Sequence, residues 1–166
     1  MKEARPTSGK VLLALFNILG NVRDLRFLDL FSGTGQVAKT ALARGACAVV
    51  AVESERSRCV DIKKRITDER FSCLCLDVRR ALPKLAKTGV PFHVIFADPP
   101  YHLDWGRHLP ELLAQHVSLL AENGVFVFEH SLREPPFSEF LDGFSVEHRT
   151  YGETVLSFYR KGGDGV

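Results

Sequence analysis

Asp98-Pro99-Pro100-Tyr101 concentrates the most chemistry in the fewest residues of this 166-residue chain. It follows the apolar run Val94-Ile95-Phe96-Ala97, which reads as a buried strand. Neither proline has an N–H to donate, so the sheet ladder must stop there. Asp98, placed before a proline, is restricted to extended backbone. A carboxylate, a stiff carbonyl at Pro99 and the ring of Tyr101 therefore gather at the carboxyl end of a strand, where open α/β sheets bind ligands. This set suits a planar amine. An exocyclic amine on guanine, adenine or cytosine is a poor nucleophile because its lone pair is delocalised into the ring. Two acceptors on its N–H bonds, the Asp98 carboxylate and the Pro99 carbonyl, favour a pyramidal nitrogen and free that lone pair. Tyr101 offers a stacking face. The amine can then attack an electrophilic methyl group in line, with positioning supplying much of the rate. A base inside a duplex cannot reach such a pocket and must be flipped out or already unpaired. Taken alone, the same four residues also read as a plain strand-ending turn.

A methyl donor needs its own seat, and a second constellation offers one. Gly33-x-Gly35-x-x-Ala38 fits the loose fingerprint G-x-G-x-x-G/A, and Glu53 lies twenty residues beyond Gly33, where an acid binds ribose hydroxyls. The glycines let backbone approach a ligand at a helix N-terminus. On these features alone a nicotinamide or flavin enzyme fits as well as a methyltransferase. Three others favour the methyltransferase. Asp29, just before the glycines, suits the ammonium of a methionine moiety and would repel a pyrophosphate. Asp77 ends a third strand, where it can accept from an adenine amino group. A terminal strand pair replaces the second mononucleotide half. The plain alternatives are a strand-end acid bonded to loop amides for Asp29 and a helix cap for Asp77.

These residues require a particular frame. A helix from about Lys10 to Leu19, capped by Ser8 or Thr7 and ended by Gly20, precedes strand Phe27–Phe31. A helix from Gln36 to Arg44, strand Ala48–Val52 and a charged helix from Glu55 to Asp68 follow. Strand Phe71–Leu76, a helix from Arg79 to Lys87, the strand before Asp98 and a helix from Arg107 to Leu120 come next, with Asn123-Gly124 as helix stop. Strand Val125–Glu129 precedes a hairpin of Phe144–Thr150 and Thr154–Arg160 around Tyr151-Gly152-Glu153. This alternation predicts an α/β fold of the class I, Rossmann-like kind: a mainly parallel sheet with helices on both faces and an antiparallel C-terminal hairpin. Residues 1–161 read as a single domain, with 1–20 as an N-terminal extension and helix and 162–166 as a disordered tail.

Composition sets bounds. Apolar residues make up 45% and charged residues 25%, ordinary for a soluble globular protein, and a net charge of +2 permits nucleic-acid binding without arguing for it. Cys47, Cys59, Cys73 and Cys75 form no C-x-x-C pair, so no metal site is expected, and free thiols favour the cytoplasm. Cys73 and Cys75 are expected to share one strand face as small core residues. The charged start and apolar Val11–Phe16 resemble a signal peptide, but Asn17 interrupts them and an amphipathic helix is the better reading. No apolar run approaches the roughly 18 residues of a membrane span.

Beyond these readings, several motifs resemble the bacterial RsmD family of 16S ribosomal RNA guanine-N2 methyltransferases. They are Arg5-Pro6-Thr7 with Leu15-Phe16-Asn17-Ile18-Leu19, Phe27-Leu28-Asp29-Leu30-Phe31-Ser32-Gly33-Thr34-Gly35, Asp98-Pro99-Pro100-Tyr101, and Tyr151-Gly152-Glu153-Thr154 with Leu156-Ser157-Phe158-Tyr159. The resemblance covers nearly the whole chain. It implies S-adenosylmethionine as cofactor, with Asp29, Gly33 and Gly35 at its methionine part, Glu53 on the ribose and Asp77 beside the adenine. Phe31, Thr34, Ser54 and Val78 adjoin these and are counted with them. It implies Asp98, Pro99 and Tyr101 as catalytic residues, and Arg5, Thr7, Pro100 and His102 on the substrate. The partner it implies is 16S rRNA in a small subunit or assembly intermediate, met by a monomer. DNA or other RNA amino-methylation at adenine N6 or cytosine N4 is the nearest alternative; a noncatalytic RNA-binding assembly module is another. The family pattern has a basic β-hairpin arm before Arg-Pro-Thr, where this chain has Met1 to Ala4. Lys63-Lys64-Arg65 and Arg79-Arg80 are candidate phosphate contacts, with a solvated helix face as the alternative. Trp105 is expected in the loop after His102, and Glu129-His130 at the end of strand five has no assigned role.

Overall fold

The computed structural model describes residues 8–100, 104–134 and 142–162. In chain order the elements are α1 (Gly9–Leu19), β1 (Arg26–Leu30), α2 (Gln36–Ala43), β2 (Ala48–Val52), α3 (Arg56–Arg65) and β3 (Phe71–Leu74). There follow α4 (Val78–Ala86), β4 (Phe92–Ala97), α5 (Trp105–Gln115), β5 (Leu120–Ser131), β6 (Phe144–Tyr151) and β7 (Thr154–Lys161). The strands form one sheet in the order β3-β2-β1-β4-β5-β7-β6. β1 to β5 run parallel, and β7 lies antiparallel between β5 and β6. The order reverses between β1 and β4, which opens a crevice at their carboxyl ends.

The apolar strand runs explain the sheet's two buried faces. Phe27, Val49, Phe96 and Val127 meet α1, α2 and Ile62 of α3 on one side. Leu28, Leu30, Ile95 and Phe128 meet α4 and α5 on the other. Strands buried on both sides cannot alternate with polar residues, hence their unbroken apolar character. The Ser8 hydroxyl accepts the Val11 N–H at 3.2 Å to cap α1, and Gly20 ends it by donating to the Phe16 carbonyl. The Phe16 ring then stacks on Phe27 at 5.9 Å and locks α1 to the sheet.

Several boundaries differ from the expectation. β1 ends at Leu30, not Phe31, because Phe31 turns into the left-handed region at φ +58°. The helix after Asp98 begins earlier, at Trp105, and ends at Gln115, with a 3-10 turn over Val117–Leu119. Asn123-Gly124 is therefore not a helix stop but part of β5. Asn123 adopts φ +64°, and the β4–β5 register shifts between Phe92 and Val94. The backbone freedom that lets Asn-Gly end a helix lets it form a strand irregularity instead. β3 stops at Leu74, so Cys75 is exposed rather than sharing a core face with half-buried Cys73. Arg5-Pro6-Thr7, Tyr101, His102 and the expected tail beyond Gly162 lie outside the described residues.

Candidate active site

Four acids sit at the carboxyl ends of β1, β2, β4 and β5, and register decides which way they point. Asp29 pairs with Ala51 on β2 and Phe96 on β4, and Phe96 pairs with Val127 on β5. Ala51, Phe96 and Val127 all face the core beneath α1 and α2. Side chains alternate along a strand. Glu53, Asp98 and Glu129, two positions further on, therefore project to the same face as Asp29. Glu129 lies opposite Leu156 of that same core.

Asp29, Glu53 and Glu129 are 1%, 4% and 8% exposed, burial that acids accept only with compensation. Glu53 has it. Its Oε1 accepts the Gly33 N–H and its Oε2 the Glu55 N–H, both at 2.8 Å, and Arg58 lies 3.9 Å from Oε2. Asp29 accepts the Ser32 hydroxyl at 2.8 Å. Burial nevertheless pushes its carboxyl up to about 7, against the pull of Ser32, with Asp98 and Glu53 adding repulsion. Burial also pushes Asp98 up to about 7. Glu129 rises to about 8 through burial and the nearby charges of Asp98 and Asp29. Its Oε1 has no hydrogen-bond partner among the described residues.

The glycine turn lies against this cluster. The Gly35 N–H donates to the Ser32 carbonyl at 2.9 Å, and the Ser32 N–H to the Val52 carbonyl at 3.0 Å. Gly33 and Gly35 adopt φ +61° and +79°. A Cβ on Gly35 would also meet Ile62 Cγ1 at 3.3 Å, so the position needs glycine for both conformation and space. Gly35 opens α2, whose first N–H groups face the crevice end of the sheet. The Arg65 guanidinium reaches the Thr34 carbonyl at 3.4 Å from α3. Ser54, next to Glu53, is exposed.

Asp77 caps α4: its Oδ1 accepts the Arg79 N–H at 2.8 Å, the alternative open from the sequence. The cap occupies one oxygen and leaves the other for a ligand. Buried Val78 follows it. The Arg79 guanidinium lies 3.7 Å from Asp77 and 4.2 Å over the Trp105 ring. Trp105 in turn meets Phe31 edge-on at 4.9 Å. These contacts tie the end of β3 to the start of α5, directly after the proline stretch. Trp105 is 3% exposed, so it is a packed anchor and not a loop residue. Lys63, Lys64 and Arg65 stand on an exposed stretch of α3.

The structure thus gathers Asp29, Phe31, Gly33, Thr34, Gly35, Glu53, Ser54, Asp77, Val78, Asp98, Pro99 and Pro100 at one end of the sheet. It adds Glu129, which the sequence reading left without a role. A signal was there: an apolar strand ending on an acid, the pattern that also marked Asp98. Among the described residues no group of three or more His, Cys, Asp or Glu is arranged to hold a metal ion, and no helix is long and apolar enough to cross a membrane.

Known proteins share this arrangement. A Bacillus subtilis protein named as an rRNA methyltransferase, YlbH, is 33% identical over 97% of this chain and 90% of its own. Ribosomal RNA small subunit methyltransferase D of Escherichia coli is 31% identical, over 72% of this chain and 58% of its own length. The solved structure of yhhF from Escherichia coli, described as a methyltransferase, superposes with a TM-score of 0.82 at 22% identity, covering 95% of this chain and 88% of that one. SMU.776, described as a methyltransferase and solved with SAH, superposes at 0.70 and 16% identity, over 90% of this chain and 48% of that one. The fold is therefore that of the S-adenosylmethionine-dependent methyltransferases. A family model described as conserved hypothetical protein 95 matches residues 1–160, so the chain belongs to that family, the RsmD family of rRNA methyltransferases that its motifs resemble.

Proposed function

We propose that this protein uses S-adenosylmethionine to methylate the exocyclic N2 amine of a guanine in the 16S RNA of a small ribosomal subunit or its assembly intermediate. The observation that carries the reading is the cluster of buried Asp29 and Glu129 with half-buried Asp98, three acids with raised pKa values on one face of the sheet at the β1/β4 crevice. Such a cluster disfavours its own ionisation and favours a cationic ligand. It repels a pyrophosphate, which argues against a dinucleotide. S-adenosylmethionine carries an ammonium and a sulfonium, and when bound it supplies an electrophilic methyl group. Asp29 would hold the ammonium, Glu53 the ribose hydroxyls, and Asp77 with Val78 the adenine. The relatives named for rRNA methylation support an RNA substrate, and the SAH-bound structural neighbour supports the cofactor.

The chain's own residues then act on the amine. The Asp98 carboxylate and the Pro99 carbonyl accept its two N–H bonds and localise the lone pair on nitrogen. Pro99 and Pro100 hold both acceptors stiffly, so little reorganisation is needed as charge develops. By the family resemblance, Tyr101 is assigned to stack on the base, and Arg5, Thr7 and His102 to the substrate. A carboxyl near pH 7 such as Asp98 is matched to hold the departing proton briefly before water removes it. The test is transfer of labelled methyl from S-adenosylmethionine to small subunits from cells lacking this protein, with the modified nucleotide located by mass spectrometry. Wild type should label a single guanine, and Asp98→Ala should not. Label on adenine or cytosine, or equal inactivity with retained RNA binding, would overturn the reading.

A further inference from the structure

We propose that Glu129 reads the target base, its unpartnered Oε1 accepting the N1–H of guanine beside the N2 amine held by Asp98. This rests on the guanine reading above and extends it to a specificity residue.

Sheet order gives Glu129 its side of the pocket. The acids assigned to the cofactor end β1, β2 and β3, all on one side of β4. Glu129 lies near the carboxyl end of β5, on the other side. Ala97 pairs with Phe128, so Asp98 and Glu129 are the next residues along adjacent parallel strands, projecting to one face. Whatever base Asp98 holds by its amine meets Glu129 on the flank away from the cofactor.

Chemistry then selects the base. Guanine presents its N1–H donor directly beside the N2 amine. Adenine and cytosine present a ring-nitrogen acceptor beside theirs. A second carboxylate next to Asp98 makes a pair of acceptors, complementary to the donor–donor edge of guanine. Ionised, as above about pH 8 or beside a cationic cofactor, Glu129 opposes the lone pair of adenine or cytosine, an arrangement that rejects them. The orphaned, buried Oε1 supports this need. A carboxyl oxygen buried in a residue only 8% exposed, with no partner among the described residues, is costly to the free protein, and a donor from the substrate relieves it. Within the strand its neighbours do not supply that donor: His130 projects to the opposite face, where its Nε2 meets the Ser157 hydroxyl at 2.8 Å.

The discriminating substrate replaces the methylated guanine with 2-aminopurine, which keeps the N2 amine but has an unprotonated N1. It is introduced by ligation into small-subunit RNA at the position mapped by mass spectrometry, and the RNA is reconstituted into subunits. Wild type should lose at least tenfold in kcat/KM on 2-aminopurine relative to guanine. Glu129→Ala should lose a similar factor on guanine and little more on 2-aminopurine. In Glu129→Gln the guanine preference should shrink at least tenfold, since the amide can donate to the bare N1. S-adenosylhomocysteine affinity within about threefold of wild type shows that a variant is folded and loaded. Wild type acting equally on both bases overturns the proposal without any variant, as does a preference unchanged in both variants. Wild-type label on adenine or cytosine instead overturns the guanine reading itself.

Discussion

One oxygen of Glu53 accepts the Gly33 N–H at 2.8 Å, and the other accepts the Glu55 N–H at the same distance. The acid at the end of β2 therefore shapes the glycine turn at the end of β1 before any ligand arrives. Each oxygen keeps a lone pair for a ribose hydroxyl.

Replacing Glu53 should thus cost twice. Glu53→Gln leaves one N–H facing an amide donor, a loss of about 1–3 kcal/mol in stability for a buried, mismatched group. It should also weaken S-adenosylhomocysteine binding at least tenfold in calorimetric titration. Unchanged affinity would remove Glu53 from the cofactor site.

Asp98→Ala separates binding from chemistry. The variant should lose roughly 10²–10³ in kcat, the scale seen when one preorganised electrostatic group is removed from a site. Its affinity for S-adenosylhomocysteine should stay equal or improve, because one of three mutually repelling acids is gone. A matching loss of cofactor affinity would assign Asp98 to the cofactor and not to the amine.

The same acids set a pH dependence. Their carboxyls rise from ordinary values of 3.8 to about 7 for Asp29 and Asp98, and from 4.5 to about 8 for Glu129. The folded state therefore binds these protons more tightly than the unfolded chain. That favourable contribution is full below about pH 4 and is lost as pH rises through 7 to 8. Glu129→Gln should melt close to wild type at pH 5 and above it at pH 8, by on the order of 1–3 kcal/mol. S-adenosylmethionine should bind wild type more tightly as the acids ionise across the same window. Thermal melts and titrations from pH 5 to 9 check both, and a pH-independent gap between the melting curves would contradict the cluster's raised pKa values.

Gly35→Ala should destabilise the fold by about 1–2 kcal/mol, combining φ +79° with a contact to Ile62. Because Gly35 opens α2, the same change should raise the S-adenosylhomocysteine dissociation constant. A melting temperature equal to wild type would show that the turn adapts without cost.

Residue type and local order alone were enough for the alternation of strands and helices, the Ser8 cap, the glycine turn and the acids that follow apolar runs. These are short-range consequences: period, capping chemistry and missing N–H groups act within a few residues. The motifs were legible for the same reason, each being a contiguous string. Boundaries after Asp98 were not. Asn123-Gly124 serves equally in a helix stop and in a strand irregularity, and only pairing with β4 and β7 settles which. Trp105 reads as a loop residue until Arg79 and Phe31, far apart in sequence, close on its ring. Whether Asp77 caps a helix is likewise decided by the actual backbone of α4. The sequence by itself determined which strands end in acids. Only the tertiary structure decided that four of them share one face, because a one-residue change of register would turn a side chain to the other side. That register places Glu129 beside Asp98, with its buried Oε1 lacking a partner among the described residues.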